Sequence, residues 1–200
     1  VPYCPRCGTA LSSHEVAQGY KDVTEKSVFV KFKVKGKENE YFLAWTTTPW
    51  TLPSNVALCL NAKENYAKIQ AEDGCVYILA EKLCSKLFEN YTVLDVKTGK
   101  DYEYAEYEAL FDFAKLEPNK KAYICVLDDY VTMDDGTGIV HIAPAFGEDD
   151  AQVGRKYNLP FLQLVNERGR FAEEVTAYKD MFVKDADKLI IKDLKEQNVL

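Results

Sequence analysis

Histidine is scarce in this 200-residue chain, which contains only His14 and His141. Two histidines exclude metal centres built from several histidines, including the H-E-x-x-H arrangement. The sequence also lacks a G-x-S-x-G nucleophile elbow, a phosphate-binding Walker loop and a G-x-G-x-x-G dinucleotide signature. What remains is a set of positioning groups, which could hold a reactive ester and a water molecule without supplying a covalent nucleophile.

Long hydrophobic runs are missing as well. No apolar stretch approaches the roughly 18 to 20 residues that a membrane-spanning helix needs, and the first residues form no signal segment. We therefore expect a soluble, cytoplasmic protein with no membrane partner. The chain starts with Val1 instead of methionine and ends at Leu200 just after a predicted helix, without a terminating signal, which indicates an excised fragment.

Positive charge is in deficit, because 32 acidic residues outnumber 25 lysines and arginines and give a net charge of −7. A field of that sign repels a polyanion such as nucleic acid. Any nucleic-acid contact must then come from a local patch or from another domain. Lysines 31, 33, 35 and 37 and the pair Lys120-Lys121 form candidate patches, although such runs can equally be a solvated face.

The chain has six cysteines, and most of them lie inside apolar segments, where cysteine behaves as a small hydrophobic residue. Scattered cysteines of this kind indicate a reducing compartment. Cys4-Pro5-Arg6-Cys7-Gly8 differs, because C-x-x-C followed by glycine is the turn that points two thiolates at one zinc. No second C-x-x-C exists, and His14 is either a third ligand or a surface histidine. The pattern favours half a zinc site, at Cys4 and Cys7, whose other ligands lie outside this chain.

Short strands dominate the predicted elements, and Gly74 follows two polar residues as a strong turn signal between two of them. Many short strands with few helices favour a mostly β (α+β) fold, a closed or nearly closed β-barrel with peripheral helices. We expect one domain over residues 1–200, with a junction at 1–15 and the barrel core at 16–200. The predicted strands are 28–34, 41–46, 56–60, 66–71, 75–79, 92–97, 122–130, 137–142 and 161–165, and the predicted helices are 81–88, 148–157 and 185–198.

One polar segment begins with Thr46, Thr47 and Thr48, where a predicted strand runs into Pro49. Proline lacks an N–H and restricts the residue before it, so the strand must loosen there. Loosening frees hydroxyls and backbone N–H groups to face a ligand. The alternative is that threonine simply favours strands.

A second polar segment runs from Gly136 to Asp150. Strand alternation predicts that His141 is half buried, either at a site or as a core histidine with a satisfied ring. Pro144 ends the strand, and Glu148-Asp149-Asp150 then stand in a first helical turn, where the helix dipole favours acids. Capping explains any one of these acids, but a carboxylate near a histidine and a row of hydroxyls could also bind an α-ammonium group.

Thr46 to Asn55 and Gly136 to Asp150 together resemble the editing domain inserted in isoleucyl-tRNA synthetases. Cys4 to Ser12 resembles the junction where that insertion leaves the catalytic domain, so the likeness spans nearly the whole chain. Leucyl and valyl relatives share the architecture but typically read T-T-R-P, and they lack the W-T-L-P that follows here. Residues Glu15 to Tyr20 further resemble the eukaryotic-type cytosolic branch.

The resemblance implies a β-barrel of the isoleucyl, valyl and leucyl editing-domain type, which hydrolyses the ester of valine mischarged onto the isoleucine tRNA. Isoleucyl-tRNA synthetase is itself the usual example of why editing is needed, since one methylene gives only about 1–3 kcal/mol of discrimination. A second pocket therefore accepts the smaller product and excludes the larger. The implied partners are the tRNA 3′ end and the catalytic and anticodon-binding domains of the parent ligase, and no cofactor is required for editing.

The resemblance also implies roles for single residues. Asp150 would hold the α-ammonium group and take part in catalysis. Thr46, Thr47 and Thr48 would bind the aminoacyl ester, the terminal adenosine and the water. His141 would line the side-chain pocket and exclude isoleucine, while Trp50 and Asn55 are further substrate-binding candidates. No residue is an obvious general base, so a terminal ribose hydroxyl of the tRNA would assist the attack.

Two departures from the parent family matter. The chain lacks H-I-G-H and K-M-S-K-S, so we expect no ATP-dependent activation of isoleucine by this chain alone. It also lacks the returning C-x-x-C that completes a zinc site in some members. The alternative function is a non-catalytic inserted domain that binds the tRNA 3′ end, whereas a freestanding deacylase is disfavoured by the junction-like start at Cys4.

Overall fold

The computed structural model describes residues 3–22, 27–113 and 115–200. Val1 and Pro2, at the start of the predicted junction, lie outside the described residues. Short strands dominate, as predicted. In chain order they are β1 (Tyr3–Cys4), β2 (Thr9–Ala10), β3 (Val28–Lys33), β4 (Glu40–Thr46), β5 (Ala57–Leu60), β6 (Asn65–Ala71), β7 (Val76–Ala80), β8 (Tyr91–Thr98), β9 (Ile124–Leu127) and β10 (Val140–Ile142).

Helices are fewer and mostly short. A capping box, in which Ser12 and Glu15 bond each other's backbone, starts the first of them. Within the described ranges no helix is both long and apolar enough to cross a bilayer. The α-helices are α1 (Ser13–Gln18), α2 (Cys84–Leu87), α3 (Glu148–Lys156) and α4 (Val183–Glu196), and 3-10 helices occupy Pro49–Ser54, Glu81–Leu83 and Gly99–Tyr102.

The strands form a five-stranded sheet in the order β3-β4-β7-β6-β8, a three-stranded sheet in the order β10-β5-β9, and a β1-β2 ribbon. Antiparallel pairing joins β3 to β4, and it also joins β6 to β7, as the turn signal at Gly74 predicts. Gly74 takes a φ of 80° between β6 and β7, a left-handed conformation that glycine adopts without strain. β4 pairs in parallel with β7 and β5 with β9, while the remaining pairs of the two larger sheets, β6 with β8 and β10 with β5, are antiparallel.

The prediction of a closed or nearly closed barrel is wrong, since no sheet of the described residues closes on itself. The outer edge of β3 is occupied by irregular backbone: Lys31 N donates to Val199 O at 2.8 Å, and Glu108 N donates to Lys33 O at 2.8 Å. The opposite edge strand, β8, leaves Val93 and Leu94 about half exposed, at 50% and 49%. Because the C-terminal segment fills the edge that closure would need, the sheet stays open.

Three predicted strands are also corrected, and the one at 122–130 shortens to β9. The stretch 161–165 is irregular and makes one bridge, from Val165 to Phe171, because the chain turns back where Gly169 N donates to Asn166 O. The strand predicted at 137–142 shrinks to β10, since Gly138 has a φ of 72° and continues a turn. A Cβ at Gly138 would lie 2.5 Å from the Ala80 Cβ, so this turn needs glycine.

The main core lies where the inner faces of the two larger sheets meet, with β5 buried along its whole length. Helix α4 contributes one apolar stripe to this core, made of residues three or four positions apart: Val183, Ala186, Ile190 and Leu194. The same helix contacts the 3-10 helix at Pro49–Ser54. The packing of α4 therefore fixes the segment that follows the three threonines.

Candidate functional site

The first polar segment is a strand end followed by a tight helical turn. β4 ends at Thr46, and the 3-10 helix begins at Pro49. Proline suits the first helical position, because an N–H at that position would have no partner within the helix. Thr51 N and Thr51 Oγ1 both donate to Thr48 O, at 3.0 and 2.8 Å. Because a 3-10 helix repeats every three residues, Thr51 is brought beside Thr48.

Three hydroxyls form a continuous row at this turn. Thr48 Oγ1 lies 3.3 Å from Thr46 Oγ1 and 3.3 Å from Thr51 Oγ1, and Thr48 N donates to Thr46 Oγ1 at 3.1 Å. We call Thr46, Thr48 and Thr51 the hydroxyl row. Thr47, predicted together with its neighbours, lies in the bend after β4 and is exposed instead.

His141 lies at the centre of β10, opposite Leu58 of β5. The prediction of half burial is wrong: the residue is only 7% exposed. Its Nε2 lies 2.8 Å from Thr51 Oγ1 and its Nδ1 lies 3.5 Å from Asn55 Nδ2, so groups in and after the 3-10 helix cover the ring. Burial lowers the pKa of His141 to about 4, so the imidazole is neutral at pH 7.

Asn55 ends the 3-10 helix and is itself buried. Its Nδ2 donates to Ala57 O at 3.0 Å, and its Oδ1 accepts from the Tyr107 hydroxyl at 2.6 Å. Both ends of the amide are thus engaged with protein groups. A direct role of Asn55 in substrate binding stays a prediction.

Asp150 stands in the first turn of α3, as predicted, and its Oδ2 accepts from Ala143 N at 2.8 Å. Burial raises the pKa of this carboxyl, against the opposing effect of the Ala143 N–H. A Cβ on Gly147 would lie 2.9 Å from the Asp150 Cγ and Oδ1, so the close approach needs glycine. Among the described residues, no cationic side chain forms an ion pair with Asp150.

Trp50 connects the two polar segments. Its ring meets Phe146 edge-on, with centroids 5.0 Å apart, and its backbone N donates to Asp187 Oδ1 at 2.9 Å. Both rings line a cleft of about 870 Å³ whose walls include Phe182 and Gln163. The Trp50 Nε1 is buried with no hydrogen-bond partner among the described residues. The cleft thus has aromatic walls, and Trp50 in those walls carries a buried N–H without a partner in the described part of the chain.

Comparison with known proteins agrees with this arrangement, although no protein-family model matches the chain. An isoleucine–tRNA ligase of Clostridium acetobutylicum is 57% identical over 200 residues, and one of Picrophilus torridus is 51% identical over 200 residues. Each alignment covers 100% of this chain. The chain is homologous to a segment of isoleucine–tRNA ligases. That segment spans 19% of each relative's length.

Solved structures place the isoleucine–tRNA ligase segment in a known fold. It superposes on GlLeuRS-CP1 with a TM-score of 0.67 at 14% identity, covering 87% of this chain and 96% of that one. It also superposes on the Plasmodium knowlesi cytosolic leucyl-tRNA synthetase editing domain with a TM-score of 0.65 at 14% identity, covering 91% and 97%. Identity this low shows the fold alone. The eukaryotic-type subgroup stays a prediction.

The predicted site residues of this ligase segment fall into two groups. Thr46, Thr48, Asn55 and His141 share one hydrogen-bonded cluster through Thr51. Asp150 is separate, and none of the hydrogen bonds of the described residues joins it to the hydroxyl row. The two groups are connected by the pairing of β5 with β10 and by the contact of Trp50 with Phe146.

The cysteine pair of the ligase segment lies in the turn between β1 and β2, where Cys7 N donates to Cys4 Sγ at 3.4 Å. Two thiols in one turn fit half of a tetrahedral zinc site. Within residues 3–22, 27–113 and 115–200 there is no cluster of three or more candidate metal ligands. The predicted third candidate, His14, has its Nε2 2.9 Å from Gln18 Nε2 on α1.

No role was predicted from the sequence for two residues of the cluster, Thr51 and Tyr107. Thr51 lies inside the first polar segment, and a 3-10 spacing from Thr48 would have identified it. Tyr107 lies in an irregular stretch between β8 and β9, far along the chain from Asn55, and no local pattern marks it.

Proposed function

We propose that this chain edits isoleucine tRNA by hydrolysing the ester bond of mischarged valine, as the editing segment of an ATP-dependent isoleucine–tRNA ligase. The observation that carries this proposal is the Asp150 carboxylate, which is partly buried and has no cationic partner among the described residues. Homology of the whole chain to isoleucine–tRNA ligases and the fold of leucyl editing domains support it.

Asp150 would bind the α-ammonium group of the substrate. Burial raises the pKa of the carboxyl, which means that the charged form lacks stabilisation in the folded protein. An ammonium group would supply the missing opposite charge. Its position in the first turn of α3 keeps the carboxylate near the positive end of the helix dipole, so a charged form remains accessible.

The hydroxyl row would bind the ester end of the substrate. Thr46 and Thr48 present oxygens that are held in place by neighbouring protein groups, which suits the positioning of a carbonyl and a water molecule. Thr47 is exposed and would meet the terminal adenosine. Trp50, whose ring lines the cleft beside Phe146, would contribute to the same substrate surface.

His141 would contact the substrate side chain and discriminate by its size. Both ring nitrogens face protein groups, so contact with the substrate would use the ring carbons, which suits a test of aliphatic size. A neutral imidazole whose nitrogens are engaged is a poor general base for water. The attack on the ester would therefore be assisted by a ribose hydroxyl of the tRNA.

The remaining partners follow from the same proposal. The tRNA 3′ end would be delivered by the catalytic and anticodon-binding domains of the parent ligase, because a net charge of −7 opposes tight binding of a polyanion by this chain alone. Editing would need no cofactor and would take place in the cytoplasm. Zinc at Cys4 and Cys7 would require ligands from outside the chain.

The decisive experiment compares release of valine and isoleucine from the charged isoleucine tRNA, by this chain and by the complete ligase. We expect valine to be released and isoleucine retained, and His141→Ala to let isoleucine be released as well. A complete ligase that still hydrolyses valyl-tRNA after deletion of this segment would contradict the proposal. Binding of the tRNA 3′ end without hydrolysis would instead support the non-catalytic alternative.

A further inference from the structure

Tyr107 is a buried tyrosine outside both polar segments, and only 2% of its surface is exposed. It lies in an irregular stretch that bridges Val34 just beyond β3, and its backbone N donates to Tyr123 O at 2.9 Å. Its ring meets Phe32 and Tyr123 edge-on, with centroids 5.3 and 6.0 Å apart. Packing therefore fixes the ring, and the hydroxyl is aimed at one acceptor, Asn55 Oδ1, at 2.6 Å.

The Asn55 amide has only one orientation that satisfies its neighbours. Ala57 O can only accept a hydrogen bond, so the atom 3.0 Å from it must be the amide nitrogen. The amide oxygen then faces Tyr107, whose hydroxyl donates to it. One N–H of Asn55 remains, and it is directed at the Nδ1 of His141, 3.5 Å away.

This orientation decides where the proton of His141 lies. An Nδ1 that faces an N–H must accept, and since the imidazole is neutral, the proton is on Nε2. The Nε2–H then donates to Thr51 Oγ1 at 2.8 Å, and the Thr51 hydroxyl donates to Thr48 O at 2.8 Å. Backbone carbonyls at Ala57 and Thr48 thus anchor both ends of the chain of hydrogen bonds.

We propose that Tyr107 is a positioning residue of the site: its hydroxyl holds the Asn55 amide and thereby fixes His141 in the Nε2–H tautomer. The opposite tautomer would accept from Thr51 and draw that hydroxyl away from Thr48 O. The Thr51 oxygen would then lose its fixed orientation toward Thr48 Oγ1, 3.3 Å away in the hydroxyl row. The effect on catalysis rests on the proposed editing function, whereas the tautomer does not.

The tautomer can be measured directly from the ring nitrogens of ¹⁵N-labelled histidine by NMR. We expect His141 of the unaltered chain to show a protonated Nε2 and an unprotonated Nδ1. His14, the other histidine, is exposed on α1 and serves as an internal reference. A protonated Nδ1 in the unaltered chain would overturn the proposal without any variant.

Tyr107→Phe removes the hydroxyl and keeps the ring. We expect the His141 nitrogen signals to shift toward a mixture of tautomers, and valyl-tRNA hydrolysis to slow roughly tenfold, which is about 1.4 kcal/mol in the activation barrier. Tyr102→Phe is the matched control, because Tyr102 is also buried and its hydroxyl has no partner among the described residues. p-Aminophenylalanine at position 107 keeps a donor and should restore both readouts.

The outcomes separate the two proposals. If Tyr107→Phe keeps the unaltered tautomer, the positioning role is overturned whatever the activity. If the unaltered chain and the complete ligase fail to hydrolyse valyl-tRNA, the editing function fails, and the nitrogen signals still decide the role of Tyr107.

Discussion

Two buried polar regions of this molecule differ in how completely they are satisfied. In one, Tyr107, Asn55, His141 and the hydroxyl row form a chain of hydrogen bonds that ends on backbone carbonyls. In the other, the Asp150 carboxylate accepts from Ala143 N and pairs with no cationic side chain among the described residues. The first region is complete without a ligand, and the second still has capacity for one.

The difference separates polar groups that the protein itself holds in place from a carboxylate that still lacks an oppositely charged partner. A satisfied buried network stabilises one conformation, and breaking it leaves an unpaired donor or acceptor. A buried carboxylate without a cation is unfavourable in the free protein and becomes favourable when a cation binds. Substitutions in the network should therefore lower stability first, whereas substitution of Asp150 should lower activity first.

The largest expected effect comes from Asp150→Asn. The amide oxygen can still accept from Ala143 N, so only the charge is lost. The kcat/KM for valyl-tRNA should fall by about two to four orders of magnitude, since removing one partner of a buried ion pair costs about 3–5 kcal/mol. The midpoint of thermal unfolding should stay constant or rise. Enzyme kinetics and calorimetry on the same variant measure both.

Asp149→Asn is the matched control for that variant. Asp149 stands in the same helical turn but is exposed. We expect it to change kcat/KM little. Equal losses for the two variants would show that overall acidity at the start of α3, and not Asp150 itself, is what matters.

The second largest expected effect is a loss of folding stability at acid pH, caused by protonation of His141. The folded pKa of His141 is about 4, below its ordinary value of 6.5. A lowered histidine pKa means that the unfolded chain binds the proton more tightly, so its contribution to stability is complete above pH 6.5 and is lost as the pH falls toward 4. The loss in the free energy of unfolding should reach about 3 kcal/mol.

Asp150 opposes this trend, because a carboxyl with a raised pKa recovers stability as it is protonated. Denaturant unfolding between pH 7 and pH 4 should therefore be measured in the Asp150→Asn background, which removes the opposing titration. A His141→Gln substitution in that background should flatten the slope. An unchanged slope would place the acid sensitivity elsewhere in the chain.

Local signals predicted the two polar segments well. Pro49 loosens the chain after β4 and Pro144 ends the strand before α3, and both effects depend on neighbouring residues alone. The prediction of a closed barrel was wrong because closure depends on residues that are distant in the sequence. Whether β3 keeps a free edge depends on Val199 and on the backbone near Glu108, which lie far along the chain and carry no strand pattern.

Site geometry was predictable only in part. Strand alternation placed His141 on one face, but its burial required the 3-10 helix to fold over it, and the alternation pattern contains no information about that helix. Tyr107 reaches Asn55 only because two irregular segments pack together, so no sequence pattern identifies it.

The smallest effect we predict tests the network at Thr51. Thr51→Val keeps the shape of the side chain but leaves the His141 Nε2–H without its acceptor, which should lower the free energy of unfolding by about 1–3 kcal/mol. Thr51→Ser keeps the hydroxyl and should retain most of the stability, and Thr47→Val, at an exposed position, should change it by less than about 0.5 kcal/mol. Denaturant unfolding of the three variants gives the ranking. If Thr51→Val is as stable as the unaltered chain, the network is not complete by itself, and the contrast with Asp150 disappears.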